Sequence, residues 1–247
     1  MLNIKLDESI NELIAINNEG WFAEYLNQHS SRFLSDLKEV INILPDKNKH
    51  IADFGAAPFA TSLALIKTGY TVDSYDIAPE RFQDLTSLGL TVKKIDLDNW
   101  SKETETRYDL IILTEVFEHL RGNLIKTSQN LHNSLKPGGI VYLTTPNSRS
   151  ITGLYKLLFK GTSYAVSRDL YFEWNKLNTL GHMGHVREYT LKELELFFEQ
   201  IGFEVMTSKS IPKKLGSGFK NEVFFKIEQL FNPLRLGSGA HLILKRK

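Results

Sequence analysis

The chain contains no cysteine, which excludes disulfides, thiolate zinc sites, cysteine nucleophiles and cysteine-ligated iron–sulfur clusters. It has no apolar run approaching the roughly 18 residues that would read as a transmembrane helix. Residues 1–10 carry no uninterrupted apolar core of signal-peptide length, so a cytoplasmic location is expected. An excess of one charge is missing too: 30 Lys and Arg stand against 29 Asp and Glu, for a net charge of +1. Binding to nucleic acid by bulk electrostatics is therefore not expected, and no block of like charges forms a tail.

What is present suits a soluble α/β domain. At 247 residues, 42% hydrophobic and 24% charged, the chain can bury one substantial core, and a single domain is expected over 1–247. It is organised around Ile51-Ala-Asp-Phe-Gly-Ala-Ala-Pro-Phe59, which reads as a strand and a tight glycine turn, followed by a helix over Ala60–Thr68 and a strand ending at Asp76. Gly55 lets the backbone turn sharply and a ligand approach its amides at the next helix N-terminus. Pro58 is expected in the first turn of that helix. Asp76 follows Asp53 by 23 residues, close to the separation of about 20 at which an acid ending the second strand meets a ribose. That is a nucleoside-binding layout.

Apolar positions at three- and four-residue spacing predict a helical N-terminal cap over 1–48, continuous from 7 to 44 and broken by the polar stretch 46–50. A helix over 79–88 and a third strand over 89–96 follow. Tyr108–Thr114 is apolar without alternation, the pattern of a strand buried on both faces, and Glu115-Val-Phe-Glu-His-Leu120 follows where open α/β sheets bind ligands. A helix over 123–135, a turn at Lys136-Pro-Gly-Gly139 and a fifth strand over 140–145 complete five strands at α/β spacing.

Residues 148–189 break that rhythm. They are rich in aromatics, including Tyr155, Phe159, Tyr164, Tyr171, Phe172 and Trp174, and the length of the insertion suggests a lid. Thr190 with Glu193 reads as a capping box and Gly202 as a helix C-cap. Two more strands, 203–208 and 241–245, flank an amphipathic stretch over 222–231. From 211 to 247 eight Lys or Arg face two acids, a balance that permits contact with an anionic substrate or membrane surface. Dimerisation is equally permitted; the chain is expected to be a monomer or a homodimer.

These stretches together resemble the class I S-adenosylmethionine-dependent methyltransferases, and most closely the branch acting on small molecules, quinones and sugar or lipid intermediates. The resemblance rests on Asp53-Phe-Gly-Ala-Ala-Pro-Phe59, Asp76, Tyr108 to Leu120, Leu135-Lys-Pro-Gly-Gly139, and Glu188 to Leu194 leading to Gly202-Phe-Glu-Val205. It implies a Rossmann-like seven-stranded sheet, mostly parallel with an antiparallel last strand and helices on both faces. S-adenosyl-L-methionine would be the cofactor. Asp53, Gly55 and Ala57 would line its methionine and ribose portion, Asp76 would hold the ribose hydroxyls, Ile77 would pack on the adenine, and Asp96 with Leu97 would contact the adenine edge. Thr114 would lie under the sulfonium, and Arg32 resembles an upstream arginine that meets the cofactor carboxylate. The chain departs from the family's Gly-x-Gly-x-Gly by keeping only its first glycine, with Phe59 in the third position.

The expected acceptor is a small molecule or a glycan or lipid intermediate, methylated at a hydroxyl. No metal is expected. A general base helps such a reaction, and His182 and His185, in a glycine-flanked loop after the aromatic insertion, are the catalytic candidates. Nucleic acid is disfavoured because Thr114-Glu-Val-Phe117 lacks the Asn/Asp-Pro-Pro-Tyr turn. Two alternatives stand: a nicotinamide-dependent oxidoreductase sharing the strand–turn–helix–acid layout, and a non-catalytic protein that binds S-adenosylmethionine or a partner.

Overall fold

The computed structural model describes residues 2–17, 20–100, 106–213 and 219–247. Two helices open the chain, α1 (Leu2–Ile16) and α2 (Gly20–Ile43), where the sequence predicts one. Asn17 and Gly20 flank the break, both poor helix formers; residues 18 and 19 lie outside the described residues. Phe22, Leu26, Phe33, Leu37 and Val40 of α2 are buried at helical spacing.

There follow β1 (His50–Phe54), α3 (Ala60–Thr68), β2 (Thr71–Asp76), β3 (Val92–Lys94), β4 (Tyr108–Thr114), α4 (Leu124–Asn133) and β5 (Leu135–Pro146). The expected helix over 79–88 is replaced by two short 3-10 turns, Pro79–Arg81 and Leu85–Leu88. Phe82 between them is extended, and its ring meets Phe59 and Phe22, so aromatic burial outweighs the continuation of a helix there. The remaining elements are α5 (Ile151–Lys160), α6 (Leu170–Leu180), α7 (Leu191–Ile201), β6 (Phe203–Ile211), α8 (Phe219–Phe231) and β7 (Gly239–Arg246). The seven strands form a sheet in the order β3-β2-β1-β4-β5-β7-β6.

The chain divides into two compact units, Met1–Ile112 with Asn133–Gly139, and Leu113–His132 with Ile140–Lys247. In the first unit β1 pairs in parallel with β2 and β4, and β2 with β3. Helices α1, α2 and α3 pack on one another, with Leu6, Ile10 and Leu13 of α1 buried.

In the second unit β7 runs antiparallel to both β5 and β6, with a bulge between Val205 and Thr207. Thr190 and Glu193 form the expected capping box on α7, and Gly202 closes that helix in the left-handed region at φ 113°. The aromatic insertion folds as α5, α6 and a loop leading to Tyr189. Among the described residues no helix is long and apolar enough to cross a membrane.

Candidate active site

In the first unit the glycine turn is built from local contacts. Gly55, at φ 73°, and Ala56 both donate their amides to the Tyr75 carbonyl of β2, at 2.8 and 2.9 Å. Only a residue without Cβ adopts that backbone at little cost. The Ala57 amide donates to Asp76 Oδ2 at 3.2 Å and the Ala78 amide to Asp76 Oδ1 at 3.0 Å. The acid that ends β2 is thus fixed against the turn after β1. Each of its oxygens keeps acceptor capacity beyond the one amide bond.

Phe59 occupies the left-handed region at φ 68° as the N-cap of α3. Pro58 therefore precedes the helix instead of sitting in its first turn, and its bond from Ala57 is cis. The bulky replacement for the third glycine does not fill the turn: Phe59 is fully buried, its ring edge-to-face with Phe82 at 5.0 Å. Left-handed backbone costs a non-glycine residue about 1–2 kcal/mol, which burial of a phenyl ring offsets.

Asp53 is 3% exposed, and its Oδ2 accepts a 2.6 Å bond from Ser62 of α3, which in turn accepts from Ser74. Burial pushes the Asp53 carboxyl up to about 7, with the charges of Asp36 and Asp76 adding and the Ser62 hydroxyl opposing. Asp36 of α2, buried at the same cluster, was not legible in sequence. Arg32 donates to the Tyr25 hydroxyl at 3.0 Å and lies over the rings of Tyr25 and Phe33. Asp96 closes a tight turn after β3, accepting from the Asp98 amide and the Asn99 side chain, and Leu97 beside it is buried. The Ile95 amide donates to the Asp76 carbonyl, which brings that turn to the end of β2.

Gly55, Ala57 and Ile77 stay partly exposed in a segment that is otherwise buried. An acid with free acceptor capacity, a positive-φ glycine and a partly exposed rim suit the ribose and adenine of S-adenosylmethionine.

The second unit carries the other concentration of polar groups. Thr114 ends β4, and Glu115 after it, at φ 55°, accepts from Thr144 at 3.0 Å and pairs with Lys213 at 2.7 Å. Glu118, in a 3-10 turn over Phe117–His119, is 1% exposed. Its Oε2 accepts from Thr145 at 2.9 Å, while Oε1 is buried and has no hydrogen-bond partner. The Glu118 carbonyl accepts from the Val186 and Arg187 amides, which ties the loop after α6 to this turn.

That loop brings His185 to His119, with ring centroids 4.8 Å apart. His119 Nδ1 lies 3.0 Å from the Gly184 carbonyl, and His185 Nδ1 3.2 Å from Glu188 Oε1. Glu188 is itself held by the Val166 and Ser167 amides. Burial pushes the Glu118 carboxyl up to about 7, with the Glu115 charge adding. Burial and the His185 charge hold His119 down at about 4. Burial would lower His185, but its bond to Glu188 and the charges of Glu118 and Glu173 raise it overall. Burial would raise Glu188, but His185 and the loop amides keep it below the usual range.

His185 therefore sits in the polar cluster; His182 lies in the same loop outside the group that gathers Glu118, His119 and His185. Beside these groups a cavity of about 230 Å³ is lined by Tyr155, Lys156, Val166, Lys213, Phe224 and Phe225, among others.

The topology, with β7 inserted antiparallel beside β5, and the acid-braced glycine turn define a class I methyltransferase. The chain belongs to the methyltransferase domain family, which matches residues 22–208, and it is an S-adenosylmethionine-dependent methyltransferase. The oxidoreductase and non-catalytic alternatives give way to that membership. No curated protein matches the sequence.

Among solved structures, the chain is similar to one from a complex between the Haloferax volcanii Trm112 methyltransferase activator and a methyltransferase. The TM-score is 0.62 at 15% identity, covering 91% of this chain and 95% of that one. It is also similar to a sarcosine dimethylglycine methyltransferase from Galdieria sulphuraria, with TM-score 0.58, 14% identity and coverage of 97% and 98%. A SAM-dependent methyltransferase from Archaeoglobus fulgidus gives 0.55, 16%, 90% and 99%. At these identities the likeness is one of fold.

Proposed function

We propose that this methyltransferase modifies a hydroxyl on a small-molecule, glycan-intermediate or lipid-intermediate acceptor. The observation that carries the reading is the cluster of the buried Glu118 and Glu188 with the half-buried His119 and His185, whose rings are oriented by a carbonyl and a carboxylate. Such an arrangement is suited to managing a proton. When bound, S-adenosylmethionine would supply an electrophilic methyl on a positively charged sulfur, with S-adenosylhomocysteine as the leaving group, and the cluster would receive the acceptor proton.

The chain's own residues divide the remaining work. Asp76 holds the ribose hydroxyls, Gly55 and Ala57 line the ligand, Ile77 packs on the adenine, and Asp96 with Leu97 borders it. Arg32 and Asp53 support the same site, Asp53 by bracing α3 through Ser62. His185, held by Glu188, handles the acceptor proton in preference to His182. Helices α1 and α2 act as the cap, and α5, α6 and the loop over 181–189 as the acceptor lid.

The cavity supports an acceptor with an aromatic or apolar body, which Tyr155, Phe224 and Phe225 would flank, and an anionic group near Lys156 or Lys213. A cytoplasmic enzyme, monomeric or homodimeric, fits this chemistry. Phe219 and Leu230, exposed on α8 beside the basic C-terminal segment, would carry any membrane contact. Lys214 of that segment lies outside the described residues.

The test is release of S-adenosylhomocysteine with a panel of phenolic, sugar and polyprenyl alcohols against matched amines. Turnover on hydroxyl acceptors, with KM raised in a Phe224→Ala variant, is expected. Turnover confined to amines would overturn the reading.

A further inference from the structure

We propose that Glu118, His119 and His185 form a binding site for one divalent transition-metal cation, which takes the acceptor hydroxyl at an open position. The three residues each offer a ligand atom, and these atoms lie within 4.8 Å of one another. Glu118 Oε1 is buried without a hydrogen-bond partner, although its sister oxygen is fixed by Thr145. A buried carboxylate oxygen left unpaired is costly, and a cation is the partner that removes the cost. That oxygen stands 4.0 Å from His119 Nε2.

The rings are held in the form a metal needs. A carbonyl oxygen or a carboxylate oxygen can only accept, so His119 Nδ1 and His185 Nδ1 are the protonated nitrogens, and in the neutral ring that a metal takes each Nε2 carries the lone pair. A second carboxylate or carbonyl behind each histidine is the outer arrangement by which ligating imidazoles are oriented and made more basic. Glu188 is anchored in turn by the Val166 and Ser167 amides. The whole set is tied by the bonds from Val186 and Arg187 to the Glu118 carbonyl.

Two imidazole nitrogens and one carboxylate suit Zn(II), Mn(II) or Fe(II) better than Mg(II) or Ca(II), which favour oxygen ligands. Donors about 2.1 Å from one ion stand roughly 3.5 Å apart in a tetrahedral site, so the cation draws the set together by about 1 Å. Glu115 is left out, because its Oε1 already accepts from Thr144 and pairs with Lys213. Three protein ligands leave a position open, and a cation there lowers the pKa of a hydroxyl it takes. That last role rests on the hydroxyl-acceptor reading and, where the cation is bound, replaces the proton handling assigned to His185, whose Nε2 lone pair the cation takes, so that the released proton passes to water; the binding of the metal does not rest on that reading.

The full-length protein, treated with chelator and titrated with Co(II) followed by visible absorption and with Zn(II) by calorimetry, is expected to take up one equivalent. Glu118→Gln and His185→Ala should each lose at least tenfold in affinity, and Glu188→Gln should weaken it 10- to 100-fold. His182→Ala should bind like the unaltered chain. Retained S-adenosylhomocysteine binding reports whether each variant is folded, and having two ligand variants protects the test against one that is not. No uptake of Co(II) or Zn(II) by the unaltered protein, or uptake undiminished in the folded ligand variants, overturns the site. If metal-free protein binds S-adenosylhomocysteine and transfers methyl only after Zn(II) or Mn(II) is returned, the role toward the acceptor stands. Transfer unchanged without metal overturns that role and leaves the cofactor reading intact.

Discussion

The two units hold their acids in opposite ways. In the first, Asp76 has an amide on each oxygen and Asp53 has a serine, and the partners lie within about 20 residues along the chain. In the second, Glu118 keeps one buried oxygen unpaired, and its neighbours His185 and Glu188 come from a loop more than 60 residues away. A carboxylate paired by its own turn is a piece of architecture that a ligand uses. A buried carboxylate left with an open side is poised for something that is not part of the chain.

The sharpest way to break this contrast is to separate chemistry from cofactor binding. His185→Ala is expected to lower methyl transfer by about 10²–10⁴-fold, the range for removing a group that manages a proton, the role proposed for it, while S-adenosylhomocysteine affinity stays within about twofold. Calorimetry and product release on the same preparation check it; a parallel loss of cofactor affinity would dissolve the division of labour.

Next in size is Asp76→Ala. It removes the charged acceptor proposed for the ribose and releases two amides of the turn, and hydrogen bonds to charged groups contribute about 1.5–3 kcal/mol each. Affinity for S-adenosylhomocysteine should fall by about 100-fold or more, with Co(II) uptake unchanged. Loss of Co(II) uptake in this variant would mean that it misfolds as a whole.

The same contrast explains what was legible in sequence. Gly55, Asp76 and the capping box at Thr190 and Glu193 depend on neighbours close in the chain or on hydrophobic pattern, and the antiparallel last strand is what the family resemblance implies. Each stands where the sequence puts it. Phe59 stands out in sequence as a departure from the glycine pattern because its identity is readable and its direction is not; only the ring of Phe82, from a segment without a periodic signal, shows that it points into the core. His119 is not among the catalytic candidates in sequence, and His182 stands equal to His185, because a strand-end motif and a loop 65 residues later carry no mark of meeting. The spacing Glu118-His119 with a distant Gly-His-Met-Gly-His was the available signal.

A smaller effect sharpens the electrostatic half of the comparison. Asp53 has its carboxyl raised from 3.8 to about 7 in the folded chain. The folded state thus holds the proton more tightly than the unfolded one. The group's contribution to stability is greatest near pH 4, falls as pH rises toward 7, and is level above that. Asp53→Asn keeps an acceptor for Ser62 and removes the charge. Its melting temperature relative to the unaltered protein should rise between pH 5 and pH 8, by the equivalent of a few kcal/mol at most. A difference independent of pH would show that Asp53 is ionised at low cost, and that the first unit is less dry than its burial implies.

The smallest predicted change in stability comes from the proposed lid. Tyr171 is 80% exposed and Trp174 half exposed on α6, whereas Tyr164 and Leu177 of the same insertion are buried. The insertion's own core is therefore made by the latter pair, and removing the Tyr171 ring should alter unfolding free energy by no more than about 0.5 kcal/mol. An exposed aromatic that does not hold the fold is free to meet an acceptor. Tyr171→Ala is accordingly expected to raise the acceptor's KM several-fold at unchanged kcat and unchanged melting temperature. If it instead lowered the melting temperature and left KM alone, α6 would belong to the scaffold, and acceptor recognition would fall to the cavity beside Lys156 and Phe224 alone.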